Sequence, residues 1–243
     1  MKGRFRRTIG AGILALAIGS SLGGCSKFKG AIETKDDSAV VLTPYPERVY
    51  WGDTHLHTAN SPDAFAFGNR LPPEDALRFA RGEEVTSSTG QKARLARPLD
   101  FLVVTDHAEA MGATRALYEA PRLFITDPTL RRWHDLMHEG PEGSAKATAE
   151  MLDARAHGNL PRDISDPKQA EDRIRSTWED NARAVERYNE PGKFTAFLGF
   201  EYTLMKGGNN LHRNVVFRDG WARVSTVLPL DPQSETTPEK LWD

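Results

Sequence analysis

The residues best suited to take part in chemistry are His55 and His57, at the end of a short run that begins at Tyr50. Side chains at alternate positions of a β-strand point to the same face, so these two imidazoles would converge on one point. Imidazole is a ligand for zinc, iron and manganese, and a strand end holds two such ligands with little entropy left to lose. Taken alone, a His-x-His pair could equally be solvated or bonded to backbone carbonyls.

Three further segments bring similar residues to predicted strand ends. The β-branched run 100–107 is typical of a buried parallel strand and ends in Asp106 and His107. The apolar run from residue 194 ends in Glu201, and His212 opens a fourth predicted strand. Glu201 alone could be an exposed charge and His212 alone a loop histidine. Together the four sites predict a polynuclear metal centre.

These motifs carry a family resemblance. The Asp-x-His-x-His-Thr motif, followed by Ser61 and Asp63, and the Thr-Asp-His motif at 105–107 resemble the PHP (polymerase and histidinol phosphatase) superfamily. The blocks Phe-Leu-Gly-Phe-Glu-Tyr-Thr and Asn-Leu-His-Arg-Asn resemble a bacterial branch of unknown function within it. The resemblance spans about residues 47–243. It implies an α/β fold, a distorted (β/α)7 PHP-type barrel, of which this chain would hold the N-terminal part.

The resemblance also implies how two or three divalent ions (zinc, manganese or iron) would be held at the carboxyl ends of the strands. In that scheme His55 and His57 hold the first ion, and Glu201 bridges the first and second. His212 binds the second ion.

The third ion of that scheme would be held by Asp63 and His107. Asp106 is either a further ligand or a partner that sets an imidazole tautomer, and we expect the second role. Arg213, beside His212, is a candidate catalytic phosphate clamp because guanidinium offers bidentate donors. It could equally form a salt bridge or be an exposed strand residue.

The chemistry that such a site supports is hydrolysis at phosphorus by metal-activated water, without a covalent intermediate. We therefore expect a phosphoesterase that acts on a small phosphorylated substrate or a phosphodiester. The alternative is a non-catalytic, metal-stabilised lipoprotein that binds a ligand or partner. PHP sites also use a later histidine and a late Asp-x-His motif, which do not follow His212, and a predicted helix start at Thr237 and Pro238 lies close to the last residue. We therefore expect a C-terminally truncated fragment that is inactive by itself.

The first residues have the features of a bacterial lipoprotein signal. Lys2 and three arginines precede an apolar run of about ten residues, too short to span a bilayer comfortably. Leu22-Gly23-Gly24-Cys25 resembles a lipobox, which makes Cys25, the single cysteine of the chain, the expected lipidation site. Ser26 after it resembles the outer-membrane sorting signal. We expect an exported protein of the cell envelope, held by its lipid to the outer membrane and facing the periplasm.

Composition agrees with a folded domain behind an anchor. The 243 residues carry a net charge of −2, with 39% hydrophobic and 27% charged residues, so no global basic field would attract nucleic acid. We divide the chain into a signal peptide (1–24), a polar tether (25–45) and an incomplete PHP-like metal-binding domain (46–243) with a helical insertion at about 108–190.

Helical spacing and caps predict the elements of that insertion. Apolar residues recur at helical spacing around Trp133 and around Trp178, and we expect these stripes to pack in the core. Asp127 and Asp166 each precede a proline, which predicts two N-caps. A short helix at about 72–81 and a hairpin within 83–97, near the mouth of the site, complete the prediction.

Overall fold

The computed structural model of the chain describes residues 48–206, 209–231 and 238–242. A compact unit spans Tyr50–Asp243. The predicted signal peptide and tether, with the expected lipidation site Cys25, lie outside the described residues. None of the helices in the described ranges combines the length and the apolar character that crossing a membrane requires.

The fold is mixed α/β and is built on a curled, half-barrel sheet. Its four strands lie in the order β1 (Gly52–Leu56), β4 (Phe101–Val104), β5 (Thr195–Lys206) and β6 (Asn209–Val216). The pairs β1–β4 and β4–β5 are parallel, whereas β5 and β6 are antiparallel neighbours in the chain. Parallel strands need long crossovers, and the helical segments between them provide these.

Eight α-helices accompany the sheet in the described residues. They are α1 Pro62–Ala66, α2 Pro73–Ala80, α3 Ala113–Glu119, α4 Pro128–His138, α5 Pro141–Ala156, α6 Arg162–Ser165, α7 Pro167–Tyr188 and α8 Trp221–Val224. Short 3-10 helices cover Arg122–Phe124 and Pro238–Leu241, and the second is the turn that follows the predicted cap at residue 237. Strands β2 (Val85–Thr86) and β3 (Lys92–Ala93) form the predicted hairpin.

The predicted helix caps are confirmed. The Asp127 carboxylate accepts hydrogen bonds from the backbone N–H groups of Thr129 and Leu130 at the start of α4. Asp166 accepts one from the N–H of Gln169 at the start of α7. Each cap satisfies N–H groups that have no partner inside the helix, which is why the helices begin where the Asp-Pro pairs stand.

Two apolar clusters hold the layers together. In the first, β4 and β5 pack against α2 and α7, and Trp178 of α7 is 1% exposed against Phe200 of β5. In the second, α1 and the helices α3 to α5 pack around Trp133, which is 2% exposed. The two helical stripes predicted around these tryptophans are therefore core, which fixes the inserted helices against the sheet and each other.

Two strand predictions were wrong in their limits. Glu201 does not end its strand, because β5 continues to Lys206 once it has β6 as an antiparallel partner. His212 does not open its strand either, because β6 begins at Asn209. Both limits depend on the pairing between the two strands, which no pattern within either strand specifies.

Candidate metal centre

The site lies where the parallel pairing of the sheet ends. His57 follows the last residue of β1, and His107 lies three residues beyond β4. There His107 forms an isolated parallel bridge with Glu201 of β5. His212 of β6 is brought to the same face by the hairpin, because it pairs with Thr203, two residues beyond Glu201. The sheet thus gathers residues that are up to 157 positions apart in the chain.

The Glu201 carboxylate is the centre of this group. It is 1% exposed, and its Oε2 lies 2.9 Å from His55 Nε2 and 2.8 Å from His57 Nε2. Its other oxygen, Oε1, lies 2.5 Å from His212 Nδ1. One buried carboxylate therefore faces histidines with both oxygens, the arrangement of a bridging ligand.

Asp63 organises the other side of His57. Its carboxylate oxygens lie 2.9 and 3.0 Å from His57 Nδ1, and its Oδ2 lies 3.7 Å from His107 Nε2. The Ser61 hydroxyl donates to Asp63 Oδ1 at 2.5 Å and accepts from the backbone N–H of His107 at 3.3 Å. Ser61, part of the first motif, thereby holds Asp63 in place at the start of α1.

These contacts define three overlapping groups whose candidate ligand atoms lie within 4.8 Å of one another: His55, His57 and Glu201; His57, Asp63 and His107; His107, Glu201 and His212. Imidazole nitrogen with carboxylate oxygen is the donor set that zinc, iron and manganese share. A buried group of this composition could hold a metal ion.

The direction of the His57 ring is a specific sign that the residues fit a cation. Its Nε2 is buried and makes no hydrogen bond with any described residue, although Glu201 Oε2 lies only 2.8 Å away. A nitrogen and an oxygen that approach closely without hydrogen-bond geometry point past each other rather than at each other. A shared ion fits this arrangement, because two ligands of one ion point at the ion and not at each other.

Two residues that the sequence analysis missed fix the far side of His107. Its Nδ1 lies 2.8 Å from Thr203 Oγ1 and 3.3 Å from Glu109 Oε2, while Glu109 Oε1 accepts the backbone N–H of Thr203. With Nδ1 held in this way, Nε2 is the atom left to face the ligand groups. Strand alternation from Glu201 could have identified Thr203. Glu109 lies in an irregular turn before Ala110, whose φ is 56°, and has no such signal.

Opposite charges in the ion-free site shift its pKa values strongly. Burial lowers the pKa of His57, but the nearby Asp63 and Glu201 carboxylates outweigh burial and raise it to about 9. Burial also lowers the pKa of His107, but Asp63 and Glu109 outweigh burial and raise it to about 10. The carboxyl groups move the other way: against the effect of burial, the histidines lower the pKa of Glu201 to about 2 and hold that of Asp63 below its usual range. The carboxylates therefore require positive charge among them, as protons or as metal ions.

Asp106 lies outside the three ligand groups. It is fully buried, with Oδ1 accepting the Thr58 backbone N–H at 2.6 Å and Oδ2 accepting the Thr58 hydroxyl at 2.8 Å. Asn181 Nδ2 of α7 donates to Oδ2 at 3.4 Å. Burial raises the Asp106 pKa, while the hydrogen bonds oppose that rise. Asp106 thus ties the loop after His57 to the end of β4.

The structure places Arg213, the predicted phosphate clamp, on the face of the sheet away from the ligand groups. Arg213 pairs with Tyr202, so strand alternation places both on the face opposite Glu201 and Thr203. The guanidinium donates to the His212 carbonyl at 2.7 Å. Arg213 is exposed, as one of the alternatives expected, and its role as a phosphate clamp stays a prediction.

The small hairpin lies beside the centre, as predicted. A cavity of about 250 Å³ is lined by His57, by Val85 and Ala93 of the hairpin strands, and by Asp75 and Phe79 of α2. A cleft next to a candidate ligand offers room for a substrate group, with the hairpin forming one wall.

The amino-acid sequence matches a known family model. The model of the protein family of unknown function DUF3604 matches residues 44–243. The chain belongs to the DUF3604 family. No curated protein and no solved structure matches it. Since the match covers every residue of the centre, the histidine–carboxylate groups lie within the DUF3604 domain itself.

Proposed function

We propose that this DUF3604 protein is a metal-dependent hydrolase, a phosphoesterase with a di- or trinuclear centre in a PHP-type barrel. The observation that carries the proposal is Glu201, a buried carboxylate with both oxygens directed at histidines, two from β1 and its end and one from β6. Holding a charged group at 1% exposure is costly unless it is paired with positive charge. A structural role would be served at lower cost by an apolar residue.

The chain's own residues have defined tasks in this reaction. Glu201 and Asp63 supply negative charge, and the histidines on either side supply neutral nitrogen, so the pocket attracts and orients divalent cations. Bound there, such cations would supply Lewis acidity that makes water nucleophilic near neutral pH and neutralises phosphate oxygens. Thr203 and Glu109 keep the His107 ring in one orientation. The zinc, manganese or iron ions of the proposal follow from this donor set.

The test is phosphate release from a panel of phosphomonoesters and phosphodiesters by the metal-loaded protein, with ion content measured in parallel. We expect His55→Ala and Glu201→Ala to lose ions and turnover together. His157→Ala is the matched control, because His157 is exposed at the end of α5 and contacts only the adjacent turn. The assay uses the full-length protein.

The outcomes separate the two functional classes. Turnover that survives loss of the ions would contradict the site assignment. A protein that keeps its ions and hydrolyses nothing on the panel would support the alternative, a metal-stabilised lipoprotein that binds a ligand or partner.

We further propose that the protein is exported and lipid-anchored through Cys25 in the cell envelope, where it would meet small phosphorylated substrates or phosphodiesters and no nucleic acid. The basic start, the short apolar run and the lipobox-like Leu22-Gly23-Gly24-Cys25 support this. Labelling of cells with a radioactive fatty acid tests it: the label should enter the unmodified protein and be absent from Cys25→Ser.

A further inference from the structure

A second cavity, of about 650 Å³, lies between the start of α2, α3 and α7. It shares no residue with the three metal groups. Its volume falls in the range that holds small organic ligands. Arginine is its most frequent lining residue, with Arg115, Arg173, Arg183 and Arg187 all contributing.

Two of these arginines already have partners. Arg115 Nε lies 2.8 Å from Glu119 Oε1, and Arg183 forms an ion pair with Asp180. Both acidic partners also line the cavity, so these pairs are neutral as units. These two arginines line the cavity, but their charges are already paired and are not available to bind an anion.

Arg173 is different. Its side chain is half-buried, and its Nε is shielded from solvent and has no hydrogen-bond partner in the described part of the chain. Burial lowers the pKa of this guanidinium, and the Asp231 charge only partly opposes that effect. Asp231 in turn lies 2.6 Å from Arg155. A half-buried guanidinium with a shielded, unpartnered Nε is unfavourable, so binding of an anion beside it would lower the free energy.

Hydroxyl groups stand beside this guanidinium. Ser176 and Thr177, one turn further along α7, line the same cavity. Guanidinium forks bind phosphate and sulfate with two parallel hydrogen bonds, and hydroxyls supply further donors. We propose that the Arg173 end of this cavity binds a small molecule through a tetrahedral oxyanion group, phosphate or sulfate, at a site separate from the metal centre.

A continuous chain of hydrogen bonds links this cavity to the metal loop. Arg115 donates to Asn60 Oδ1 at 3.1 Å, and Asn60 Nδ2 donates to Asn181 Oδ1 at 2.8 Å. Asn181 reaches Asp106 at 3.4 Å, and Asp106 accepts from Thr58. An occupant of the cavity would therefore lie against residues that support the segment after His57.

The test is calorimetric titration of the purified, metal-loaded protein with inorganic phosphate and, separately, with sulfate. We expect Arg173→Met to weaken binding about tenfold or more, because it removes a charged bidentate donor. Arg175→Met is the matched control, since Arg175 lies on the same helix, is exposed and pairs with Glu171. It should bind as the unmodified protein does.

Two additional arms keep the test decisive. Ser176→Ala changes an exposed residue and should fold normally, and we expect it to weaken binding about fivefold. Hydrogen exchange with phosphate or sulfate should show protection in α3 and α7. Equal affinity in Arg173→Met and Arg175→Met, protection confined to β1, β5 and β6, or no binding of either anion would overturn the proposal. The anion site involves α3 and α7, whereas the metal centre involves β1, β5 and β6. Failure of the anion proposal would therefore not contradict the hydrolase proposal, which has its own test.

Discussion

Replacing Glu201 by glutamine is the most direct test of the centre. Glutamine has nearly the same shape, but it removes the negative charge and turns one of the two oxygens into an N–H donor. The carboxylate is 1% exposed and lies within 2.5–2.9 Å of nitrogens of His55, His57 and His212. Neither of its oxygens can therefore be replaced by water without rearrangement of the site.

The size of the effect follows from this burial. Removing one partner of a buried charged group costs about 3–5 kcal/mol, which corresponds to at least about a hundredfold in affinity. Competition for zinc or manganese against a coloured chelator measures that affinity, and circular dichroism shows whether the variant is folded. Glu179→Gln makes the same chemical change on the exposed side of α7 and should leave metal affinity unchanged. If Glu201→Gln, folded, binds ions as tightly as this control, the carboxylate is not a ligand and the reasoning fails.

Three further predictions concern pH and stability. In ion-free protein, the raised pKa values of His57 and His107 stabilise the fold fully below the unfolded value of 6.5, and this contribution disappears as the pH rises through about 9 and about 10. The melting temperature of chelator-treated protein should fall over that interval. Metal affinity should rise over the same interval, because fewer protons compete for the ligands. A melting temperature that does not change with pH would contradict the ion pairing. Trp178→Ala should cost about 3–5 kcal/mol in urea unfolding, because Trp178 is 1% exposed in the main cluster, and a loss below about 1 kcal/mol would show a looser core. Asp127→Ala should cost about 1 kcal/mol through the lost α4 cap, with Asp127→Asn, which keeps the oxygen, much closer to the unmodified protein.

Local sequence patterns were sufficient to predict an element wherever the residues that determine it lie close together in the chain. Asp127 and Asp166 mark helix starts because their side chains accept the first N–H groups, and that chemistry is complete within four residues. The alternation of His55 and His57 likewise holds in space, since both rings reach Glu201. The same rule, applied to Arg213, would have placed that residue on the opposite face.

What the sequence could not supply is information that depends on distant partners. β5 extends beyond Glu201 because β6 pairs with it, and nothing within the strand itself specifies that length. Glu109 is brought to His107 by a turn with no periodicity. The arginine cavity depends on the packing of α3 against α7, which no local pattern of Arg115 or Arg173 reveals.

The position of Asp106 has a consequence for altering this protein by design. One inaccessible acid braces the segment after His57 and is also the last link in the chain that begins at Arg115. Asp106 supports residues of both pockets. A substitution at residue 106 would therefore disturb both, and its effect could not be attributed to either pocket alone. Efforts to retune selectivity have more freedom at the hairpin wall of the histidine pocket, where the Ser87 hydroxyl bonds to Gln91 within its own hairpin.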